Sequence, residues 1–156
     1  MNILMVCLGN ICRSPIAEGL LKTKIKRHNL QATVDSCGFE YEHLGCQPDY
    51  RAIEVASKHD IDITYQKARL FHPSYFDHFD KIYVMDNSNY KMVASHARCS
   101  KDLEKVEFIM NVLKPGSNES VPDPYYGKHE HFVETFNLLD KATDKIVDLI
   151  KDVQKN

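Results

Sequence analysis

Seven residues near the start of the chain, Cys7-Leu8-Gly9-Asn10-Ile11-Cys12-Arg13, place a thiol and a guanidinium at the two ends of a short flexible loop. That spacing suits one task, the holding of an oxyanion against a sulfur nucleophile. A loop that runs into a helix points several backbone N–H groups at one spot, and the helix dipole adds partial positive charge there. Gly9 keeps a side chain out of the turn, and Asn10 tolerates the left-handed backbone region while offering an amide to tie the loop. Arg13 adds a planar fork that matches two phosphate oxygens. A thiol at a helix N-terminus ionises more readily than a free one, and the thiolate is the nucleophilic form. Ser14 follows at once and can donate a hydrogen bond to that sulfur. The expected chemistry is covalent catalysis at phosphorus, with Cys7 attacking and Leu8, Gly9, Asn10, Ile11 and Cys12 cradling the phosphate.

Attack on a phosphate ester also needs an acid for the leaving oxygen. Val121-Pro122-Asp123-Pro124-Tyr125-Tyr126-Gly127 supplies a candidate: two prolines restrict the backbone around Asp123 and aim its carboxyl group. Asp123 would protonate the departing oxygen and then act as base on the attacking water. The loop is not the ATP-binding phosphate loop, which needs Lys before Ser or Thr, and it is not GxGxxG. Cys7 and Cys12 are followed by no second Cys or His pair at ligand spacing, so no metal and no cofactor are expected.

The elements that position these residues follow from periodicity. Asn2–Val6 is a short apolar run that reads as a buried strand ending at Cys7. Ile16, Ala17, Leu20, Leu21 and Ile25 then recur at helical spacing, with Ser14 as the expected cap, Pro15 in the first position and Glu18 in the first turn. Further strands are predicted at 33–36, 81–85 and 106–109, helices at 49–59, 87–97 and 131–153, and loops at 37–48 and 115–127. This alternation predicts a single α/β domain over residues 1–156, a parallel sheet of four strands with helices on both faces and the phosphate-binding loop after the first strand.

Bulk properties exclude other classes. A net charge of -2 offers no nucleic-acid surface, and no apolar run is long enough for membrane insertion. Five cysteines, an odd number, with no secretory leader in view point to reduced thiols and a cytoplasmic location. Nothing in the sequence bears on oligomeric state.

With Cys7 to Pro15, Ser36 and Gly38, Ala68-Arg69, Met85-Asp86, Asn89 and Asp123 to Gly127 in order, the chain resembles the low-molecular-weight protein tyrosine phosphatase family along nearly its whole length. The resemblance implies a metal-free, two-step hydrolysis of phosphotyrosine-containing proteins through a phosphocysteine. It implies Cys7 as nucleophile, Arg13 as phosphate clamp, Ser14 as support for the leaving thiolate and Asp123 as general acid and base. It further implies that Asn10, helped by Ser36, holds the loop, that Cys12 protects Cys7 as a peroxide-induced disulfide, and that Tyr125 and Tyr126 stand at the pocket rim. Two positions depart from the pattern: Glu42 stands where many members have Trp, and Gln66 where many have His. Tyr41 or Phe39 is then the expected aromatic wall, Glu40 and Glu42 disfavour acidic peptides, and Gln66 is expected to support the loop asparagine. Arsenate reductase, protein arginine phosphatase and a non-catalytic phosphate-binding module are the alternatives. The absence of a close redox cysteine pair disfavours the first, Ile11 in place of Thr the second, and the presence of both nucleophile and acid the third.

Overall fold

The computed structural model describes residues 1–156. Strands β1 (Asn2–Val6), β2 (Thr33–Cys37), β3 (Lys81–Val84) and β4 (Val106–Phe108) form one parallel sheet in the order β2-β1-β3-β4. Helices α1 (Arg13–Arg27), α2 (Tyr50–Ser57), α3 (Tyr75–His78), α4 (Asn87–Ala94), α5 (Ser100–Glu104) and α6 (His129–Lys155) complete the domain.

Strand β1 is central, and Ile3 to Val6 are fully buried. Its side chains alternate between the two faces: Ile3 and Met5 join a core built with α1, α2 and α6, whereas Leu4 and Val6 join a smaller one around Phe71, Phe76, Phe79 and Val93. Burial on both faces is why β1 reads as an unbroken apolar run. Helix α6 buries Phe132, Phe136, Leu139, Ile146 and Ile150 along one stripe. The buried Lys24 of α1 fastens the two helices through Asp140, Thr143 and Asp144.

Several predicted boundaries move by one to three residues, those of β2, β3 and α6 among them. Helix α1 begins at Arg13 with Cys12 in the cap position and no side-chain cap, so Ser14 is not the cap. Its hydroxyl faces Cys7 and Asn10 instead. Pro15 is therefore the third helical residue, where its missing N–H is one the first turn leaves unbonded anyway. Helix α2 is capped by Asp49, which accepts from Arg51 N at 2.9 Å, and it ends at Ser57 ahead of Asp60, which has φ of 59°. Helix α4 stops at Ala94, and β4 ends at Phe108 because Ile109 starts a 3-10 turn. Helices α3 and α5 and the 3-10 turn Tyr41–His43 are too short to leave a periodic signal.

Candidate active site

The carboxyl ends of the strands converge on one pocket, as expected for ligand binding in an open parallel sheet. The loop from Cys7 to Cys12 leaves β1 and enters α1, and its carbonyls face outward: Leu8 O accepts from Phe39 N at 2.7 Å and Ile11 O from Asp49 N at 2.7 Å. The backbone N–H groups of Leu8 to Cys12 have no hydrogen-bond partner in the protein. With the uncapped start of α1 behind them, they form an anion cradle.

Asn10 holds this shape. Its φ of 55° lies in the left-handed region, which Asn tolerates better than most residues. Its Nδ2 donates to Ser14 Oγ at 2.8 Å and Ser36 Oγ at 2.9 Å, and its Oδ1 accepts from Arg69 N at 3.0 Å. Because Ser14 Oγ already accepts from Asn10, its own proton is free for Cys7 Sγ, 3.0 Å away. Ser36 Oγ in turn donates to the buried carboxylate of Glu18. The chain Glu18–Ser36–Asn10–Ser14–Cys7 thus directs a hydrogen bond at the sulfur from behind the loop. Gly38 makes this possible, since a Cβ there would lie 2.7 Å from Leu8 O and 2.8 Å from Asn10 N.

Arg13 is buried, with 3% of its side chain exposed. Its Nη1 donates to Asp86 Oδ2 at 2.8 Å and to Val121 O at 2.9 Å, which leaves Nε and Nη2 as the two-donor edge for an oxyanion. Asp123 Oδ2 lies 3.5 Å from Nη2, and Asp123 Oδ1 accepts from Tyr125 N at 3.1 Å. Burial alone would lower the Arg13 pKa, but Cys7, the Asp86 hydrogen bond and Asp123 outweigh it and raise the value. Burial, reinforced by Asp49, Cys7 and Asp123, pushes the Cys12 thiol well above the ordinary range, so Cys12 stays protonated beside Cys7.

Cys7, Leu8, Gly9, Ile11, Cys12, Arg13 and Asp123 line a cleft of about 130 Å³ whose mouth is walled by Glu40, His43, Tyr125 and Tyr126. Asn10 stands behind the loop rather than in the cleft. Tyr126 is 94% exposed and meets Tyr125 edge-on, with ring centroids 4.9 Å apart.

Two rim expectations are corrected. Tyr41 does not line the cleft: it is 75% exposed on the 3-10 turn. Three residues make one such turn, so Glu40 and His43 share the inward face, with His43 Nε2 3.0 Å from Glu40 Oε2. Phe39 is occupied elsewhere, stacked on Phe71 at 5.6 Å. The aromatic wall beside Tyr125 is His43, whose ring meets that of Tyr125 edge-on at 6.3 Å and would lie 3.2 Å from a Cβ at Gly9. Gln66 does not reach Asn10 either; it donates to Pro15 O at 3.0 Å, and Arg69 N and Ser36 take over the support of Asn10. His43 and Arg51 were not singled out from the sequence, and Asp86 and Glu18 were read only as part of a family pattern and as a first-turn residue, because their contacts in the site are remote in the chain.

Fold and site together define an open α/β protein with a thiol-bearing anion loop and a carboxylic acid facing it. The family model described as low molecular weight phosphotyrosine protein phosphatase matches residues 2–156. The chain belongs to that family and is a phosphoric monoester hydrolase. A low molecular weight phosphotyrosine protein phosphatase of Schizosaccharomyces pombe is 38% identical over 141 residues, which cover 88% of this chain and 89% of the relative. Low molecular weight phosphotyrosine protein phosphatase 2 of Drosophila melanogaster is 40% identical, with 80% and 76% covered. Among solved structures, a protein tyrosine phosphatase from Entamoeba histolytica superimposes with a TM-score of 0.90 at 31% identity, covering 99% of each chain.

Proposed function

We propose that this protein hydrolyses phosphotyrosine in phosphoprotein substrates through a phosphocysteine on Cys7. The observation that carries this reading is the convergence, in one cleft, of Cys7 under its serine hydrogen bond, the free edge of Arg13 and the carboxyl group of Asp123. The substrate phosphate sits in the cradle, with two oxygens on Arg13 Nε and Nη2 and others on the loop N–H groups. The Cys7 thiolate attacks phosphorus. The S–P bond forms as the P–O bond to the ester breaks, and the electron pair left on the phenolic oxygen takes the proton of Asp123. Asp123, now a carboxylate, removes a proton from water as that water attacks phosphorus. The S–P bond then breaks, and its electron pair returns to Sγ, where Ser14 stabilises the thiolate. Inorganic phosphate leaves and Asp123 is again protonated.

The rim supports an aromatic ester. Tyr125 and His43 both line the mouth, their rings meeting edge-on, and a flat phenyl ring packs against such an aromatic surface better than a short aliphatic chain does. Comparison of phosphotyrosine, phosphoserine and phosphoarginine peptides, with arsenate as control, tests the reading. Phosphotyrosine is expected to be turned over far faster than the others. Faster release from phosphoarginine, or reduction of arsenate, would replace it.

A further inference from the structure

Arg51, the second residue of α2, takes no part in the chemistry above, yet it touches every segment that must be aligned for it. Its Nε and Nη2 donate to Asp49 at 3.0 and 2.8 Å, and the backbone N–H of Asp49 holds Ile11 O in the phosphate loop at 2.7 Å. The same guanidinium donates to two carbonyls of the acid segment, Nη2 to Tyr125 O at 3.0 Å and Nη1 to Gly127 O at 3.5 Å. Its carbon Cζ lies 4.5 Å from the ring centre of the fully buried Phe132 in α6. One planar group therefore bridges the loop bearing the nucleophile and the segment bearing the acid, and it rests over a core aromatic ring. The acid segment has few other ties: Val121 N reaches Met85 O, Val121 O takes Arg13, and Thr135 Oγ1 reaches Pro122 O only at 3.4 Å. Beyond Asp123, the bonds from Arg51 are the hydrogen bonds that join this segment to the nucleophile's side of the cleft, beside the edge contact of Tyr125 with His43.

We infer that Arg51 is a positioning residue, the latch that keeps the Asp123 segment in register with the phosphate loop. This rests on the reading of Asp123 as general acid. A proton donor displaced by about 1 Å loses much of its effect, while the cradle, built by β1, α1 and Asn10, stays intact. Loss of the latch should therefore weaken protonation of the leaving group and leave attack on phosphorus unaffected.

The test compares kcat/KM for phenyl phosphate, a poor leaving group, with that for 4-nitrophenyl phosphate, a good one. Arg51→Ala is expected to lose about tenfold on the first, a fraction of the 10²–10⁴ that general acid catalysis supplies, and less than about twofold on the second. Arg51→Lys should not restore the rate, because a point charge cannot span two carbonyls and a carboxylate as the fork does. In an Asp123→Ala background Arg51→Ala should cost nothing further on either substrate. Turnover of 4-nitrophenyl phosphate and inhibition by inorganic phosphate report in the same samples that the cradle is folded; if Arg51→Ala does not fold, Arg51→Gln takes its place with the same expectations. Equal losses on both substrates, rescue by Lys, or an additive loss in the Asp123→Ala background would overturn the inference. If Asp123→Ala alone shows no leaving-group dependence, the acid reading fails first and the latch falls with it.

Discussion

Replacement of Asn10 by alanine should damage both the fold and the chemistry, by amounts that can be worked from its contacts. The change removes two donations, to Ser14 and Ser36, and one acceptance, from Arg69 N. At about 1 kcal/mol net for each buried hydrogen bond these sum to about 3 kcal/mol. Alanine must also hold the φ of 55° that asparagine tolerates, which adds roughly 1 kcal/mol. A stability loss of about 4 kcal/mol is expected by urea unfolding. The rate effect has a separate origin. Without Asn10 the Ser14 hydroxyl is free to turn, and the Cys7 thiolate loses an oriented hydrogen bond worth about 1.5–3 kcal/mol, or about ten- to hundredfold in kcat/KM for 4-nitrophenyl phosphate. Ser36→Ala is the control. It removes the two outer bonds of the same chain, from Asn10 and to Glu18, but leaves Asn10 on Ser14, so stability should fall by about 2 kcal/mol with little change in rate. If the two variants lose activity equally, the hydroxyl is not oriented by Asn10 and the reasoning is refuted.

Three further outcomes are expected. Asp123→Ala should slow phenyl phosphate by about a hundredfold or more and 4-nitrophenyl phosphate far less; equal effects in steady-state kinetics would remove its acid role. Cys12→Ser should make peroxide inactivation harder to reverse with thiols, because Cys7 then oxidises past the reversible stages; unchanged recovery would dismiss a protective disulfide. Burial raises the Cys37 pKa, so the folded state keeps the thiol protonated while the unfolded state ionises above about pH 8.5. The stability this contributes is complete below that pH and is lost above it, at up to about 1.4 kcal/mol per pH unit. Cys37→Ala should flatten the alkaline decline seen in urea titrations, and an unaltered slope would exclude Cys37 as a source.

Much of this architecture was legible because its signals are local. The buried strand β1, the helical spacing after Cys7 and the long stripe of α6 each lie within one segment, and parallel order follows from their alternation. The residues from Cys7 to Ser14 and Asp123 stood out because their types and spacing carry a chemical meaning without a partner. What escaped depends on distant pairs. Asp86 meets Arg13 across 73 positions and Arg51 meets Tyr125 across 74, and neither leaves a pattern in the chain. The cap of α1 was misplaced because Ser14, a good cap by type, spends its hydroxyl on the site. The rim was misread for a geometric reason: a single 3-10 turn puts Glu40 and His43 inward and Tyr41 outward, the reverse of what aromatic character alone suggests.

The central claim is that phosphate passes through Cys7. Rapid acid quench of the Asp123→Ala variant with an aryl phosphate, followed by peptide mapping by mass spectrometry, tests it most directly, since without the base the intermediate should persist. The account predicts one phosphoryl group per chain, on the peptide that contains Cys7 and on its sulfur, and none in Cys7→Ser under the same quench. Turnover by Cys7→Ser at the wild-type rate, or a phosphoryl group on any other residue, would contradict it.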